Sequence, residues 1–251
     1  MANPTAGALS RSQCFAPRAR DFCLKRRLSG TYAQNKNTRT YNAAMQLPFR
    51  AKLPMNTPMS LANRIRIRET RLLSDDWGEL TKTTFDWLRA DGTWQTLSRE
   101  TYDRGNGATL LPYNLRDRTV LLTRQFRYPA YVNGYDDFLI ETAAGLLDEA
   151  SPEDRIRSEV EEETGYRMKG VRKVFECFMS PGSVTERLHF FVAEYDAEMR
   201  VAKGGGIAAE GEDIQVMQLP FEDAMAMVER GEIADAKTIM LLQYAALQLF
   251  R

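Results

Sequence analysis

One short glutamate-rich segment restricts the fold of this chain more than any other stretch. Ser151 and Pro152 are typical of a helix start, because the hydroxyl can cap free N–H groups and proline fits the first helical position. Gly165 is a typical helix stop. Ile156 and Val160 lie one turn apart between these limits and form an apolar stripe. The pattern predicts a helix that docks on the protein through this stripe.

The same predicted helix carries a cluster of carboxylates, formed by Glu159, Glu161, Glu162 and Glu163. Glu159 and Glu163 are one turn apart and share a face, with Glu162 beside it, so their charges repel each other. A solvated acidic face is one interpretation. The glycine limits and the apolar stripe favour another, in which the helix is docked and the carboxylates hold a hard cation such as Mg²⁺.

Composition limits the class of protein. The chain has 251 residues, of which 43% are hydrophobic, enough for one sizeable core. It has no apolar run near the ~18 residues that a membrane span needs, which predicts a soluble protein with no membrane partner. The cysteines, Cys14, Cys23 and Cys177, are too few and too scattered for a disulfide framework. A reducing compartment, and hence the cytoplasm, is the expected location.

Charge is distributed unevenly along the chain. Residues 1–60 contain ten Lys or Arg residues and a single acid, Asp21, whereas the remainder carries 24 basic and 33 acidic residues. This basic segment predicts a disordered extension. An organelle transit peptide is one interpretation; a tail without a role, or a gene start placed upstream of Met55 or Met59, are the others. It has no recognition motif, so we expect no nucleic-acid partner.

The rest of the chain alternates strand and helix patterns. Asp91-Gly92 predicts a hairpin between two strands, 81–87 and 94–101. Further strands are predicted at 107–113, 119–126, 138–142, 171–178 and 189–195, and helices at 221–230 and 238–250. Residues 128–137 are predicted as a surface loop, and the glycine-flanked acidic segment 204–213 as a mobile loop. His189 is the single histidine, which argues against zinc chemistry.

The segment from Gly145 to Tyr166 resembles the Nudix box, whose usual form is G-x5-E-x7-R-E-U-x-E-E-x-G-U, where U is a bulky aliphatic residue. Its loop is one residue shorter than usual, and Ser158 stands where an arginine is expected. Ala150 or Ser151 stands at the place of the first glutamate. The three glutamates that end the box are present at 159, 162 and 163.

Five further segments resemble the GDP-mannose pyrophosphatase subfamily of Nudix hydrolases, over about residues 60 to 250. They are Tyr102–Thr109, Arg124–Arg127, Met179–Glu186, Gly204–Gly206 and Gly231–Thr238. The resemblance implies an α/β fold, a Nudix α/β/α sandwich with a mixed sheet over residues 104–251. It also implies a small N-terminal β-domain over residues 61–103, exchanged between the subunits of a homodimer.

The resemblance implies a Mg²⁺-dependent hydrolysis of the diphosphate of a nucleoside diphosphate sugar, giving GMP and mannose 1-phosphate if the substrate is GDP-mannose. Two alternatives stay open, an ADP-ribose or ADP-sugar pyrophosphatase and a Nudix fold that senses a nucleotide without cleaving it. The complete set of carboxylates argues against the sensor, because a sensor needs no metal-activated water.

The resemblance also implies roles for individual residues. The implied catalytic residues are Glu159, Glu162, Glu163 and Glu212, and the implied metal ligands are the carbonyl of Ala144 with Glu159, Glu163 and Glu212. The implied substrate-binding residues are Trp77, Ser98, Arg99, Glu100, Arg127, Ala144, Gly145, Leu146, Glu163, Glu186, Gly211, Glu212 and Lys237. Glu210 is an alternative to Glu212 for the metal-ligand position that the resemblance implies in this loop.

Overall fold

The computed structural model describes residues 60–147 and 149–251, with the backbone alone at Glu210. The predicted basic extension, apart from Ser60, lies outside the described residues. In the described part of the chain, none of the helices combines the length and the apolar character needed to cross a membrane.

A three-stranded antiparallel sheet opens the described chain. Its strands are β1 (Ile65–Asp75), β2 (Glu79–Leu88) and β3 (Trp94–Asp103), in the order β1-β2-β3. Gly92 adopts φ 83°, and the N–H of Arg89 donates to the carbonyl of Thr93 at 2.9 Å across the turn. Because a turn of this shape favours glycine, Asp91-Gly92 forms the hairpin that the sequence predicts.

A seven-stranded mixed sheet forms the centre of the larger part of the chain. Its strands are β4 (Gly107–Asn114), β5 (Thr119–Gln125), β6 (Leu139–Glu141), β7 (Ala143–Leu146), β8 (Val171–Phe178), β9 (Arg187–Glu194) and β10 (Gln215–Pro220). The main path runs β10-β5-β4-β9-β8, with β6 beside β5 and β7 beside β4. The pair β4–β9 is parallel and the others are antiparallel.

Helices cover both faces of this sheet. They are α2 (Pro152–Thr164), α3 (Phe221–Glu229) and α4 (Ala236–Gln248), whereas the short helix α1 (Tyr128–Val132) has no buried residue. Side chains of consecutive strand residues point to opposite faces. Leu110 therefore packs with Ile156 and Val160 of α2, whereas its neighbour Leu111 packs with Leu241 of α4. The result is the predicted α/β/α sandwich with a mixed sheet.

The structure differs from the sequence-based expectations in α1, β7 and β10. The predicted surface loop 128–137 begins with the short helix α1, which Pro129 favours at the start of a helix. Strand β7 was not predicted, because its Ala-Ala-Gly-Leu sequence has no β-branched residue or aromatic. Strand β10 was also missed, since its six residues alternate only weakly.

A substitution on α4 tests the assignment of its buried face. Leu241 is fully buried in the core, whereas Leu247 on the same helix is 66% exposed. Leu241→Ala should lower the free energy of unfolding by about 2–5 kcal/mol, because it leaves a cavity. Leu247→Ala should change it by less than about 0.5 kcal/mol. Chemical denaturation of both variants measures the difference, and equal losses would contradict the assignment.

Candidate active site

Helix α2 begins and ends where its sequence indicates. The hydroxyl of Ser151 accepts a hydrogen bond from the N–H of Asp154 at 3.1 Å, and Pro152 occupies the first turn. Gly165 ends the helix in the left-handed conformation at φ 79°, and its N–H donates to the carbonyl of Glu161 at 2.9 Å. Both caps satisfy backbone groups that a helix end leaves without partners.

Docking of α2 buries two carboxylates along with its apolar stripe. Ile156 and Val160 are fully buried against the sheet. Glu159 and Glu163, which share the adjacent face, are also buried, and Glu162 is half-buried. The interpretation of the cluster as a freely solvated acidic face is therefore excluded for Glu159 and Glu163.

The pKa of Glu163, one of the two buried glutamates, is strongly shifted. Burial first, and then the neighbouring charge of Glu159, raise the pKa of Glu163 well above its usual value. Arg127 opposes this shift and Glu212 adds to it. Among the described residues, Oε2 of Glu163 is buried without a hydrogen-bond partner. A buried carboxylate oxygen left in this way is costly, and a cation at this position would relieve the cost.

Two residues fix the position of Glu159. Gly145 on β7 lies against it so closely that a Cβ at this position would overlap the carboxylate of Glu159. Arg155, one turn earlier on α2, forms an ion pair with Oε1 of Glu159, and its Nε donates to the carbonyl of Leu146 at 3.2 Å. Arg155 thus links the helix to β7 beside the carboxylate, an arrangement that the sequence analysis did not predict.

The glycine-rich loop is attached to the end of α2. Gly204, Gly205 and Gly206 all have positive φ, between 74° and 118°. The N–H of Gly205 donates to the backbone carbonyl of Glu163 at 2.9 Å, and the N–H of Gly206 donates to the backbone carbonyl of Glu162 at 3.1 Å. The glycines therefore cap the helix carbonyls, so the start of the predicted mobile loop has defined backbone contacts.

Glu212 is brought toward the carboxylate pair by this loop. Its Oε2 accepts a hydrogen bond from the N–H of Ile207 at 2.8 Å, and its charge acts on Glu163. Within residues 60–147 and 149–251, no three acidic, histidine or cysteine side chains converge as a ready metal cage. The donors nevertheless fit a hard divalent cation, because they are carboxylate oxygens, one of them buried without a partner.

A second charged cluster joins Arg127 and Lys237 through a buried carboxylate. Glu141, the last residue of β6, accepts a hydrogen bond from Nε of Arg127 at 2.8 Å. Lys237 in the first turn of α4 donates to the other oxygen of Glu141 and lies 3.0 Å from Asp235. The structure therefore brings together two predicted substrate-binding residues that are 110 positions apart in the chain.

The predicted site residues of the N-terminal sheet lie on its surface. Trp77 is 79% exposed, and Glu100 forms a long ion pair with Lys82 at 3.6 Å. Ser98 shares a hydrogen bond of 2.9 Å with Thr84 across the sheet. Arg99 donates only to the carbonyl of Ser98 among its described hydrogen bonds. The described chain shows no hydrogen bond or ion pair between these residues and the carboxylates of Glu162 and Glu163.

The remaining predicted residues lie on β7, just before β9 and on the loop that leads to β10. Ala144 and Leu146 lie beside Gly145 on β7, which pairs with β4. Glu186, just before β9, forms an ion pair with Arg104 at 3.1 Å. Gly211 takes the left-handed conformation at φ 81°, immediately before Glu212.

Sequence analysis missed Glu141, Asp235 and Arg155. Glu141 had a visible signal, since a charge in a short apolar strand needs a buried partner. Asp235 also had one, because it precedes a predicted helix and caps it by accepting from the N–H of Thr238 at 3.0 Å. Arg155 had no such signal, because its function depends on where β7 lies.

A mixed sheet covered on both faces by helices, with a capped glutamate-rich helix packed on β7 and β4, is the arrangement of a hydrolase of the Nudix class. The NUDIX domain profile matches residues 103–242, and the profile of the GDP-mannose pyrophosphatase NudK N-terminal domain matches residues 64–102. The chain belongs to the Nudix hydrolase family.

Its relatives include proteins named GDP-mannose pyrophosphatase. The protein from Pectobacterium atrosepticum is 54% identical over 189 residues, which are 75% of this chain and 97% of that protein. The protein from Yersinia enterocolitica is 55% identical over 177 residues, 70% of this chain and 92% of that protein. The protein from Escherichia coli O1:K1 is 50% identical over 185 residues, 73% and 96% of the two chains.

Gly145 offers a test of the carboxylate site that does not depend on turnover. Gly145→Ala should displace Glu159 and weaken Mn²⁺ binding by at least about tenfold, equivalent to about 1.4 kcal/mol. Gly170→Ala is the matched control, because a Cβ at Gly170 meets nothing within 4 Å. Paramagnetic titration of the purified variants measures binding. Unchanged binding in Gly145→Ala would contradict the placement of Glu159 in the metal site.

Proposed function

We propose that the protein hydrolyses the diphosphate of a nucleoside diphosphate sugar with Mg²⁺, converting GDP-mannose to GMP and mannose 1-phosphate. The observation that carries the proposal is the buried pair of Glu159 and Glu163 on α2, in which Oε2 of Glu163 has no hydrogen-bond partner among the described residues. Carboxylate oxygens placed in this way suit a hard divalent cation. The names of the bacterial relatives and the N-terminal profile support the choice of substrate.

The carboxylate cluster would hold the cation. Glu159, Glu163 and Glu212, with the carbonyl of Ala144, supply the oxygen donors that Mg²⁺ prefers. When bound, Mg²⁺ neutralises diphosphate charge and lowers the pKa of a water that attacks phosphorus. Gly145 and Arg155 keep Glu159 in position for this role. Glu162, half-buried at the rim of the cluster, completes the proposed catalytic set.

Arg127 and Lys237 would bind the diphosphate. The Arg127 side chain is 42% exposed although its Nε donates to Glu141, so part of the side chain is accessible to a ligand. A planar guanidinium suits two phosphate oxygens at once. Fixed donors of this kind stabilise the charge that develops on the leaving phosphate without reorganising during the reaction.

We propose that the N-terminal sheet completes the site in a homodimer, by exchange between two subunits. Every residue of β1 is exposed, and β1 is an edge strand of its sheet in the described chain. Long uncovered edge strands pair readily with other chains. The exposed side chains of this sheet include Leu61, Ile67, Leu72 and Trp77. Trp77, Ser98, Arg99 and Glu100 would then reach the nucleotide sugar of a dimer site.

The division of the chain remains part of this proposal. Residues 61–103 would form the N-terminal β-domain and residues 104–251 the hydrolase domain, after a basic extension at 1–60. The separate three-stranded sheet and the two profiles that meet at residues 102 and 103 support this division. We propose a cytoplasmic location, in line with the bacterial origin of the relatives.

A panel of nucleotide sugars tests the substrate. With Mg²⁺, we expect kcat/KM for GDP-mannose to exceed that for ADP-ribose by about a hundredfold, since that needs only about 2.7 kcal/mol of differential binding in the transition state. Product analysis by chromatography identifies GMP and mannose 1-phosphate. A preference for ADP-ribose would contradict the assignment of GDP-mannose as the substrate, but it would leave the assignment as a hydrolase unchanged. Nucleotide binding without products from any sugar would indicate a sensor.

A further inference from the structure

Glu141 is a buried carboxylate that the proposed reaction does not itself use. The residue is 3% exposed and lies at the end of β6, where the register pairs it with Thr123 of β5. One of its oxygens accepts from Arg127 and the other from Lys237. A single carboxylate thus connects a residue just after β5 with a residue in the first turn of α4.

The charges around Glu141 favour its ionised form. Burial acts to raise the pKa of Glu141, but the charges of Lys237 and Arg127 outweigh it, so the pKa lies below its usual value. A buried ion pair of this kind adds little to stability compared with apolar residues of similar volume. What it does supply is a fixed geometry for two long, flexible cationic side chains.

The surroundings of Lys237 are equally rigid. Its side chain is 12% exposed and lies at the N-terminus of α4, which Asp235 caps. The hydroxyl of Thr238 accepts from the N–H of Thr142 at 2.7 Å and donates to Asp235 at 2.6 Å. These bonds join the start of α4 to the residue that follows Glu141. The position of Lys237 relative to Glu141 is therefore set by backbone as well as by charge.

We propose that Glu141 is a positioning residue for the hydrolysis: it holds Arg127 and Lys237 together in one orientation, so that both meet the same diphosphate. This inference rests on the proposed function, in which these two residues bind the substrate. Glu141 itself would not contact the reacting atoms. Long cationic side chains lose considerable rotamer freedom when they bind a ligand, and an anchor present beforehand removes part of that cost.

Because Arg127 and Lys237 would oppose the charge that develops on the leaving phosphate, removal of the anchor should affect the transition state more than the ground state. Glu141→Gln keeps the shape of the side chain but loses its charge, so attraction of the anionic substrate persists while the cations lose their common anchor. We expect kcat to fall at least about tenfold and KM to change less than about threefold. Glu141→Asp keeps the charge but is one methylene too short to reach both cations, and should lower kcat at least about fivefold.

A cycle of variants separates positioning from a general structural effect. In the background of Arg127→Met with Lys237→Met, Glu141→Gln should change kcat less than about twofold, because no cation is left to be held. The triple variant contains no uncompensated charge at this site, whereas the double variant leaves the carboxylate of Glu141 buried without its cations. Circular dichroism of each variant therefore accompanies the kinetics, and Glu141→Asp, which keeps the charge, provides the comparison if Glu141→Gln fails to fold. Glu222→Gln is the control: Glu222, on α3, forms an exposed ion pair with Arg118 in the turn before β5, and the loss of this pair should leave kcat unchanged.

The outcomes are distinct. The proposal is supported if kcat falls in both Glu141 variants and if Glu141→Gln no longer lowers kcat when Arg127 and Lys237 are both methionine. A normal kcat in Glu141→Asp, or the same loss with and without the two cations, overturns it. If the unaltered protein cleaves no nucleoside diphosphate sugar, the proposed function fails instead. If it does so and the double variant retains full turnover, the assignment of Arg127 and Lys237 to the substrate fails.

Discussion

Repulsion between two buried carboxylates is the constraint on which the rest of this structure depends. Glu159 and Glu163 lie one turn apart on α2 and are buried together with the apolar stripe that docks the helix. The free energy of docking must outweigh the cost of this burial. Two neighbouring residues lower that cost. Arg155 forms an ion pair with Glu159, and Gly145, which has no side chain, leaves room for the carboxylate of Glu159. Glu163 keeps an oxygen without a partner in the described chain, and its raised pKa expresses the remaining cost.

The sandwich places carboxylates and cationic side chains close to the two short strands β6 and β7, which pair with β5 and β4. Strand β7 runs beside the acidic helix, and β6, which precedes it directly, ends in the carboxylate that holds Arg127 and Lys237. The charge of Arg127 acts to lower the pKa of Glu163, so the two clusters interact electrostatically. A cation on the carboxylates and two fixed cationic side chains would together balance a diphosphate. The same buried helix contact that fixes the fold therefore also arranges the chemistry.

Much of this could be predicted from the sequence, because the signals were local. Ser151, Pro152 and Gly165 marked both ends of α2, and Asp91-Gly92 marked the hairpin. The carboxylates of the site could be predicted, because helical spacing alone places Glu159 and Glu163 on one face. Contacts between distant segments were not predictable in this way. The pairing of Glu141 with Lys237, 96 positions away, depends on how β6 and α4 meet in the folded chain.

Thermal unfolding with and without Mg²⁺ tests the central claim, that the buried pair is built for a cation. Because the folded pKa of Glu163 lies above its unfolded value, the stability that this group contributes is present at low pH and is lost as the pH rises through the folded pKa. Above that pH, in chelator, Glu163→Gln should unfold at a higher temperature than the unaltered protein. Mg²⁺ at a hundredfold excess over its Kd should then stabilise the unaltered protein by about 2.7 kcal/mol and the variant far less. Equal stabilisation of both by Mg²⁺, or a variant that is less stable in chelator, would contradict the account.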